Sequence, residues 1–224
     1  MKFAPILAWL LAGASFIHAE DKQAILARMD EAAPKFRSMS AMIQMVTFTA
    51  IISDKTVENG SLKMQRLPGG EVRALLDFSG AHTDARQIGF FGRMIQIYYP
   101  KLKTYQEYDV GKNTDVLNQF LLLGFGSSGK DLSNSYDISD EGMEKVAGAD
   151  TTKLLLLPKD EGVKKRLSKI EMWIPAGATY PVQQQFYEAS GNYRVVTYSN
   201  VRLGSAVKGK LELKLPSDAK RQGS

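Results

Sequence analysis

Residues 59–78 read Asn59-Gly60-Ser61-Leu62-Lys63-Met64-Gln65-Arg66-Leu67-Pro68-Gly69-Gly70-Glu71-Val72-Arg73-Ala74-Leu75-Leu76-Asp77-Phe78. Apolar residues alternate with polar ones on both sides of the Pro-Gly-Gly triplet, and a period of two is typical of a β-strand with one buried face. The triplet therefore predicts a turn between two antiparallel strands. Asn59-Gly60 is a strong hairpin signal of its own, so we expect another turn there.

The same alternation begins further upstream, across residues 39–51. Three consecutive strands with matching alternation predict one continuous apolar face. The residues predicted to form this concave face are Met39, Ala41, Ile43, Met45, Leu62, Met64, Val72, Ala74, Leu76 and Phe78.

The rest of the chain is mostly strand. A helical period spans residues 21–39, with Pro34 late in it. Further strands are predicted near residues 85–91, 94–99, 103–108, 136–147, 153–158, 167–174, 181–188, 193–201 and 210–215. About 11 strands, one leading helix and one helical insert predict a mainly β (α+β) fold, a strongly curved antiparallel sheet covered by helices.

The helical insert lies at residues 114–132. Its apolar residues recur at helical spacing behind a Thr114 cap, and they are Val116, Leu117, Phe120, Leu121 and Leu123. Gly124 and Gly126 end the first helix, another glycine precedes the insert at residue 111, and a further one lies within it at residue 129. Glycine permits hinging of the backbone, so we expect the insert to act as a movable lid.

The N-terminal segment MKFAPILAWLLAGASFIHA, residues 1–19, has a positive start, an apolar run and a small residue before Glu20. This layout predicts a secretory signal peptide, since the run is too short to span a membrane. The alternative is a buried N-terminal helix. We expect residues 20–224 to form a single exported, soluble domain.

The amino-acid composition and the lack of catalytic motifs exclude several classes of function. The chain has no cysteine, so thiol catalysis and cysteine metal sites are excluded. The net charge of +5 is mild, and the short run Lys164-Lys165-Arg166 is interpreted as a solvated loop, so we expect no nucleic-acid partner. Asp137, Asp140 and Glu141 are interpreted as a solvated turn. No catalytic motif is found, and we expect no catalytic residues, metal or cofactor.

Arg66 is the unusual residue, since it follows Leu62 and Met64 on the apolar face. A guanidinium facing an apolar interior is costly unless it is hydrogen-bonded. The alternation leaves two possibilities open. Either Arg66 points inward, or the strand ends at Gln65 and Arg66 reaches solvent.

Several segments of the chain resemble those of a known protein family. The strand 59–68 resembles the G-x-L-x-x-x-R-P strand of periplasmic outer-membrane lipoprotein carrier proteins of the LolA type, with Leu67 as an extra residue before Pro68. The segments 95–109, 180–182, 191–192 and 211–216 resemble later hairpins and strands of that family, in the same order.

The resemblance implies a half-open barrel of about 11 strands, lidded by helices, that binds acyl chains of lipoproteins or other lipids and delivers them toward the outer membrane. It implies that Arg66 regulates the lid. The lipid-binding cavity would be lined by Ile43, Met45, Leu62, Met64, Val72, Ala74, Leu76 and Phe78, and the lid would present Val116, Leu117, Phe120 and Leu121.

The implied partners are acylated lipoproteins or lipids, an inner-membrane release complex and an outer-membrane acceptor. We expect a monomer in the periplasm, without enzymatic activity. The alternative functions are a periplasmic sensor of lipid or envelope stress on the same fold, and an enzyme on the same scaffold.

Overall fold

The structure is a computed structural model that describes residues 21–78, 85–204 and 206–222, without the side chains of residues 113, 115 and 116. The predicted signal peptide lies outside the described residues.

The described residues form one antiparallel sheet whose two edge strands do not meet. Its strands are β1 Ser38–Thr49, β2 Asp54–Arg66, β3 Val72–Phe78, β4 Arg86–Phe91, β5 Met94–Tyr99, β6 Thr104–Asp109, β7 Tyr136–Val146, β8 Ala149–Pro158, β9 Leu167–Pro175, β10 Gln183–Glu188, β11 Tyr193–Leu203 and β12 Lys220–Arg221. The spatial order is β12-β6-β5-β4-β3-β2-β1-β11-β10-β9-β8-β7, and only the two-residue β12 pairs in parallel. The predicted curved, half-open sheet is confirmed.

The helices are α1 Lys22–Ala32, α2 Thr114–Leu122, α3 Gly129–Ser135 and the short α4 Glu161–Lys164. α1 is shorter than predicted, because the chain tightens into a 3₁₀ turn at Ala33–Lys35, where Pro34 lies, and β1 begins at Ser38. The insert consists of two helices. The Ser128 side chain accepts a hydrogen bond from the Asp131 amide and so caps α3.

The turn predicted at Asn59-Gly60 is wrong. Both residues lie within β2, and the chain reverses instead at Ala50–Ile52, followed by Ser53 at φ 50°. Gly60 serves a close approach rather than a turn, since a Cβ atom there would lie 2.4 Å from the carbonyl oxygen of Asp77 in β3.

The strand predicted at residues 210–215 is also wrong. This segment pairs with no strand in the described part of the chain and is held by side chains instead. Gln65 accepts a hydrogen bond from the Leu211 amide at 2.9 Å, and Arg73 donates one to the Leu211 carbonyl at 2.9 Å. The alternating apolar residues belong instead to a segment whose Leu211 backbone is bonded by side chains of β2 and β3.

The apolar core has two parts. The α1 cluster joins one face of α1 to β8 and β9, and its members are Ile25, Leu26, Met29, Leu123, Leu132, Tyr136, Leu154, Leu156, Ile170, Met172 and Ile174. The inner-face cluster lies on β1–β3, and its members are Phe36, Met39, Ala41, Ile43, Leu62, Met64, Ala74, Phe78, Phe125 and Tyr198. α1 therefore packs on β8 and β9. We had expected it to cover the apolar face of β1–β3.

Candidate functional site

The predicted concave face exists as rows of side chains across neighbouring strands. Leu62 pairs with Ala41 on one side and Leu76 on the other, and Met64 pairs with Met39 and Ala74. Antiparallel partners point to the same side of a sheet, so the register builds the face directly.

Most of the predicted cavity residues contribute to the inner-face cluster. Those in its buried part are Ile43, Leu62, Met64, Ala74 and Phe78, and those packed partly buried against it are Met45 and Leu76. Val72 is buried but lies outside this cluster, beside a cavity next to Arg66.

The predicted lid residues of α2 have different neighbours. Leu121 packs against the inner-face cluster together with Leu122. Leu117 and Phe120 line a separate cavity, and the Phe120 ring lies 5.1 Å from that of Phe186. Val116 lies in α2, but its side chain is outside the described residues.

Phe125 contributes to the site, although sequence reasoning missed it. It follows α2, is 7% exposed and packs edge-on against Tyr198 at 4.8 Å between ring centroids. Burying a side chain of this size contributes about 1.5–3 kcal/mol. An aromatic residue between Gly124 and Gly126 was the available signal, but the glycines were interpreted only as the end of a helix.

Arg66 is partly buried and points toward the helices. Its Nη1 donates a hydrogen bond to the Ala33 carbonyl at 2.9 Å, and its Nη2 donates one to the Gly126 carbonyl at 2.7 Å. β2 continues through Arg66, and Leu67 is accommodated because its amide bonds to the Glu71 carbonyl at 2.8 Å. Of the two orientations that the alternation left open, the structure has the inward one.

The surroundings of Arg66 are those of a desolvated cation. Burial lowers the pKa of Arg66, the positive charge of Arg37 acts in the same direction, and the carboxylate of Asp131 opposes both. Its guanidinium also lies 5.5 Å from the centroid of the Phe36 ring. Two carbonyl acceptors, a nearby carboxylate and an aromatic face together compensate a charge that remains ionised.

A second polar contact holds the segment after α2. Gln184 in β10 is 2% exposed, and its amide donates to the Leu123 carbonyl at 3.2 Å. The Tyr198 hydroxyl donates to the Gln184 side-chain oxygen at 2.7 Å. The residues 123–126 are thus fixed at one end by Gln184 and at the other by Arg66. Sequence reasoning missed Gln184, because a glutamine in a strand carries no sign of which way it points.

Comparison with solved structures gives distant matches. An uncharacterized conserved protein from Thermus thermophilus is 13% identical, with a TM-score of 0.52 over 89% of this chain and 97% of that one. Lipoprotein LppX from Mycobacterium tuberculosis is 13% identical, with a TM-score of 0.48 over 84% and 99%. The LolA superfamily protein NE2245 from Nitrosomonas europaea is 16% identical, with a TM-score of 0.37 over 84% and 95%.

The Thermus thermophilus protein shares the fold of this chain over most of the length of both. Identities this low concern the fold alone and carry no function with them. No protein-family model matches the chain, and no curated protein does.

A cavity of about 500 Å³ lies beside Arg66, between the insert and the β2–β3 turn. Val72, Asn118, Ser127 and Tyr136 contribute to its lining. Among the described residues, the buried Oδ1 atom of Asn118 there has no hydrogen-bond partner. Arg66 and the insert both border this cavity.

Residues 21–78, 85–204 and 206–222 contain no cluster of three or more histidine, aspartate or glutamate side chains that could hold a metal ion. In the same ranges no helix has the length and apolarity to cross a membrane. Asp137, Asp140 and Glu141, interpreted from the sequence as a turn, lie exposed in β7.

Proposed function

We propose that this protein is a periplasmic carrier that binds the acyl chains of lipoproteins, or other lipids, between the inner-face cluster and the insert and delivers them toward the outer membrane. The observation that carries the proposal is the pair of hydrogen bonds from Arg66. They join one inner strand both to the turn after α1 and to the segment after α2.

A carrier of this kind must hide an acyl chain from water. Each buried methylene contributes about 0.8 kcal/mol, so a chain of roughly 15 carbons contributes about 12 kcal/mol. The inner-face cluster offers a continuous apolar surface of that chemistry. Its methionines, Met39, Met45 and Met64, suit a surface that repacks around different chains, because their unbranched side chains adopt many shapes.

The described conformation is a closed one. Phe125, Leu121 and Leu122 occupy the inner-face cluster themselves, where an acyl chain would lie. We infer that binding displaces these side chains together with the residues 123–126. The apolar side chains exchange one apolar neighbour for another, so the cost of opening falls mainly on the polar contacts.

Arg66 supplies that cost. Opening breaks its bonds to the Ala33 and Gly126 carbonyls, and hydrogen bonds to a charged group contribute about 1.5–3 kcal/mol each. The loaded state is therefore less favourable than it would be without Arg66. This free-energy difference between the loaded and closed states favours release of the lipid to an acceptor. A ligand shifts such an equilibrium only by its differential affinity for the two states.

The proposal includes the partners implied by the resemblance: a release complex at the inner membrane and an acceptor at the outer membrane. In this role the protein acts as a monomer and catalyses no reaction. A sensor module on the same fold would bind lipid without handing it on, so transfer separates the two functions.

The test is transfer of a fluorescent acylated lipopeptide from the protein to acceptor vesicles. The Arg66→Leu variant should bind the lipopeptide at least as tightly as the original protein and release it at least tenfold more slowly, because the closed state has lost its hydrogen bonds. The change removes a partly buried charge, so the variant should fold.

The matched control is Arg73→Leu. Arg73 lies on the neighbouring strand and also donates to a backbone carbonyl, that of Leu211, but it faces away from the insert. Its loss should leave transfer unchanged. The proposal would be contradicted if Arg66→Leu transferred the lipopeptide at the normal rate, or if both variants were slowed equally. It would also be contradicted if the original protein, purified without detergent, took up no lipopeptide.

A further inference from the structure

A second cavity, of about 960 Å³, lies beside α2. It is enclosed by α2, the end of β6, the α4–β9 segment and the β10–β11 turn. The apolar side chains that line it are Val110, Leu117, Phe120, Val163 and Leu167. Phe120 is 42% exposed, which is high for a phenylalanine and reflects the open side of this cavity.

The carboxylates that line this cavity each have a hydrogen-bond or ion-pair partner. The carboxylate of Asp109 is bound by Arg93 at 2.9 and 2.5 Å, and that of Glu188 by Arg194 at 2.6 Å. Asp160 also lines the cavity, and its carboxylate accepts a hydrogen bond from the Val163 amide at 2.9 Å.

Two cations remain at the rim. Lys165 and Arg166 line the cavity, and among the described residues neither side chain has a hydrogen-bond or ion-pair partner. Lys164 beside them is paired with Glu161 at 2.7 Å and does not line it. The basic run seen in the sequence therefore contains one satisfied residue and two that face an apolar cavity unpaired.

We propose that this cavity binds an anionic lipid, with its acyl chain along Leu117, Phe120 and Leu167 and its phosphate at Lys165 and Arg166. An apolar surface with cations at one end complements an amphiphile with a negative head. Arginine and lysine bind phosphate through charge-assisted hydrogen bonds. The volume lies within the range of ligand-binding cavities in proteins.

This site is separate from the proposed carrier site, although α2 lines both. Leu121 faces the inner-face cluster, whereas Leu117 and Phe120 face the second cavity. A lipid bound here would touch Leu117 and Phe120 of the insert. The inference does not rest on the carrier function, and it survives if transfer proves independent of Arg66.

The test is calorimetric binding of two lysolipids with the same palmitoyl chain, below their micelle concentrations. Lysophosphatidylglycerol carries a net negative charge and lysophosphatidylcholine does not. The original protein should bind the anionic lipid about tenfold more tightly or better, since removing charge-assisted bonds costs at least that factor. Glycerol phosphate, which has the head group without the chain, should bind far more weakly than either.

The decisive variant is Lys165→Gln/Arg166→Gln, which should abolish the preference for the anionic lipid. Its matched control, Lys101→Gln/Arg202→Gln, removes one lysine and one arginine that are exposed elsewhere and should keep the preference. Phe120→Ala should weaken binding of both lipids. An unchanged preference in Lys165→Gln/Arg166→Gln would overturn the proposal, as would glycerol phosphate binding as tightly as the lipid.

Discussion

Gln184 accepts a 2.7 Å hydrogen bond from the hydroxyl of Tyr198, and both side chains are buried. The same Gln184 side chain donates to the Leu123 carbonyl, so a strand-to-strand contact continues into the insert. A polar chain of this kind in an apolar core is favourable only while every member is paired. It therefore resists displacement of the segment 123–126 independently of Arg66.

Replacing Gln184 by leucine should destabilise the protein and loosen the insert. The change leaves the Tyr198 hydroxyl and the Leu123 carbonyl buried without partners, and each unsatisfied group costs about 1–3 kcal/mol. Urea unfolding should show a loss in that range, and hydrogen exchange should be faster at residues 123–135 than in the flanking strands.

The pairing of Gln184 with Tyr198 can be tested by a double-mutant cycle. Tyr198→Phe alone leaves the Gln184 oxygen unsatisfied, whereas in the double variant both partners of that bond are absent. We expect the loss in the double variant to be smaller than the sum of the two single losses by about 0.5–3 kcal/mol. Strictly additive losses would show that the two side chains act separately.

Stability should fall at alkaline pH partly through Tyr198. Burial raises the pKa of Tyr198 well above its usual range, so the folded protein favours the protonated, neutral form. A raised folded-state pKa contributes stability that is fully present below the unfolded pKa of about 10 and is lost as the pH rises above it.

The measurement compares the original protein with Tyr198→Phe by urea unfolding between pH 7 and pH 11.5. Their difference in free energy of unfolding should be constant up to about pH 10 and should shrink above it, because only the original protein has this hydroxyl to ionise. Tyr187, whose pKa burial and Glu171 raise to about 12, is common to both proteins. Parallel pH profiles would rule out Tyr198 as the titrating group.

The hydrogen bonds of Arg66 should slow opening of the insert. In Arg66→Leu the residues 114–135 should exchange amide hydrogens faster than in the original protein, since the Ala33 and Gly126 carbonyls have lost their donor. The strands β8 and β9 should be unaffected. Arg73→Leu serves as the control, and exchange that rises equally in both variants would point to a general loss of stability instead.

Gly60 should be intolerant of any side chain. In Gly60→Ala the new methyl group would lie 2.4 Å from the Asp77 carbonyl oxygen, so β2 and β3 must separate locally. Overpacking of this kind costs about 1–3 kcal/mol. Asn59→Ala next to it should change the free energy of unfolding by less than about 0.5 kcal/mol, because Asn59 is exposed in a strand. Loss of stability in Asn59→Ala as large as that in Gly60→Ala would favour the hairpin turn that the sequence suggested.

The apolar face and the orientation of the strands that form it were predictable. Met39, Met64 and Ala74 alternate with polar residues. Because side chains alternate between the two faces of a strand, burying one of these residues places the others on the same buried face. Pro68-Gly69-Gly70 adds a turn whose chemistry is local. The amphipathic period of the insert was equally local, and so the existence of α2 followed from it.

By itself, then, the sequence determined the strand periodicity, the inner face and the helical insert, because each depends on neighbours within a few residues along the chain. Only the tertiary structure decided that Gly60 meets β3, that α1 covers β8 and β9, and that Gln184 and Arg66 hold the two ends of the segment 123–126. The two hydrogen bonds to that segment join residues about 60 positions apart. Their partners are backbone carbonyls, which every residue carries, so no pattern of side chains along the chain can identify them.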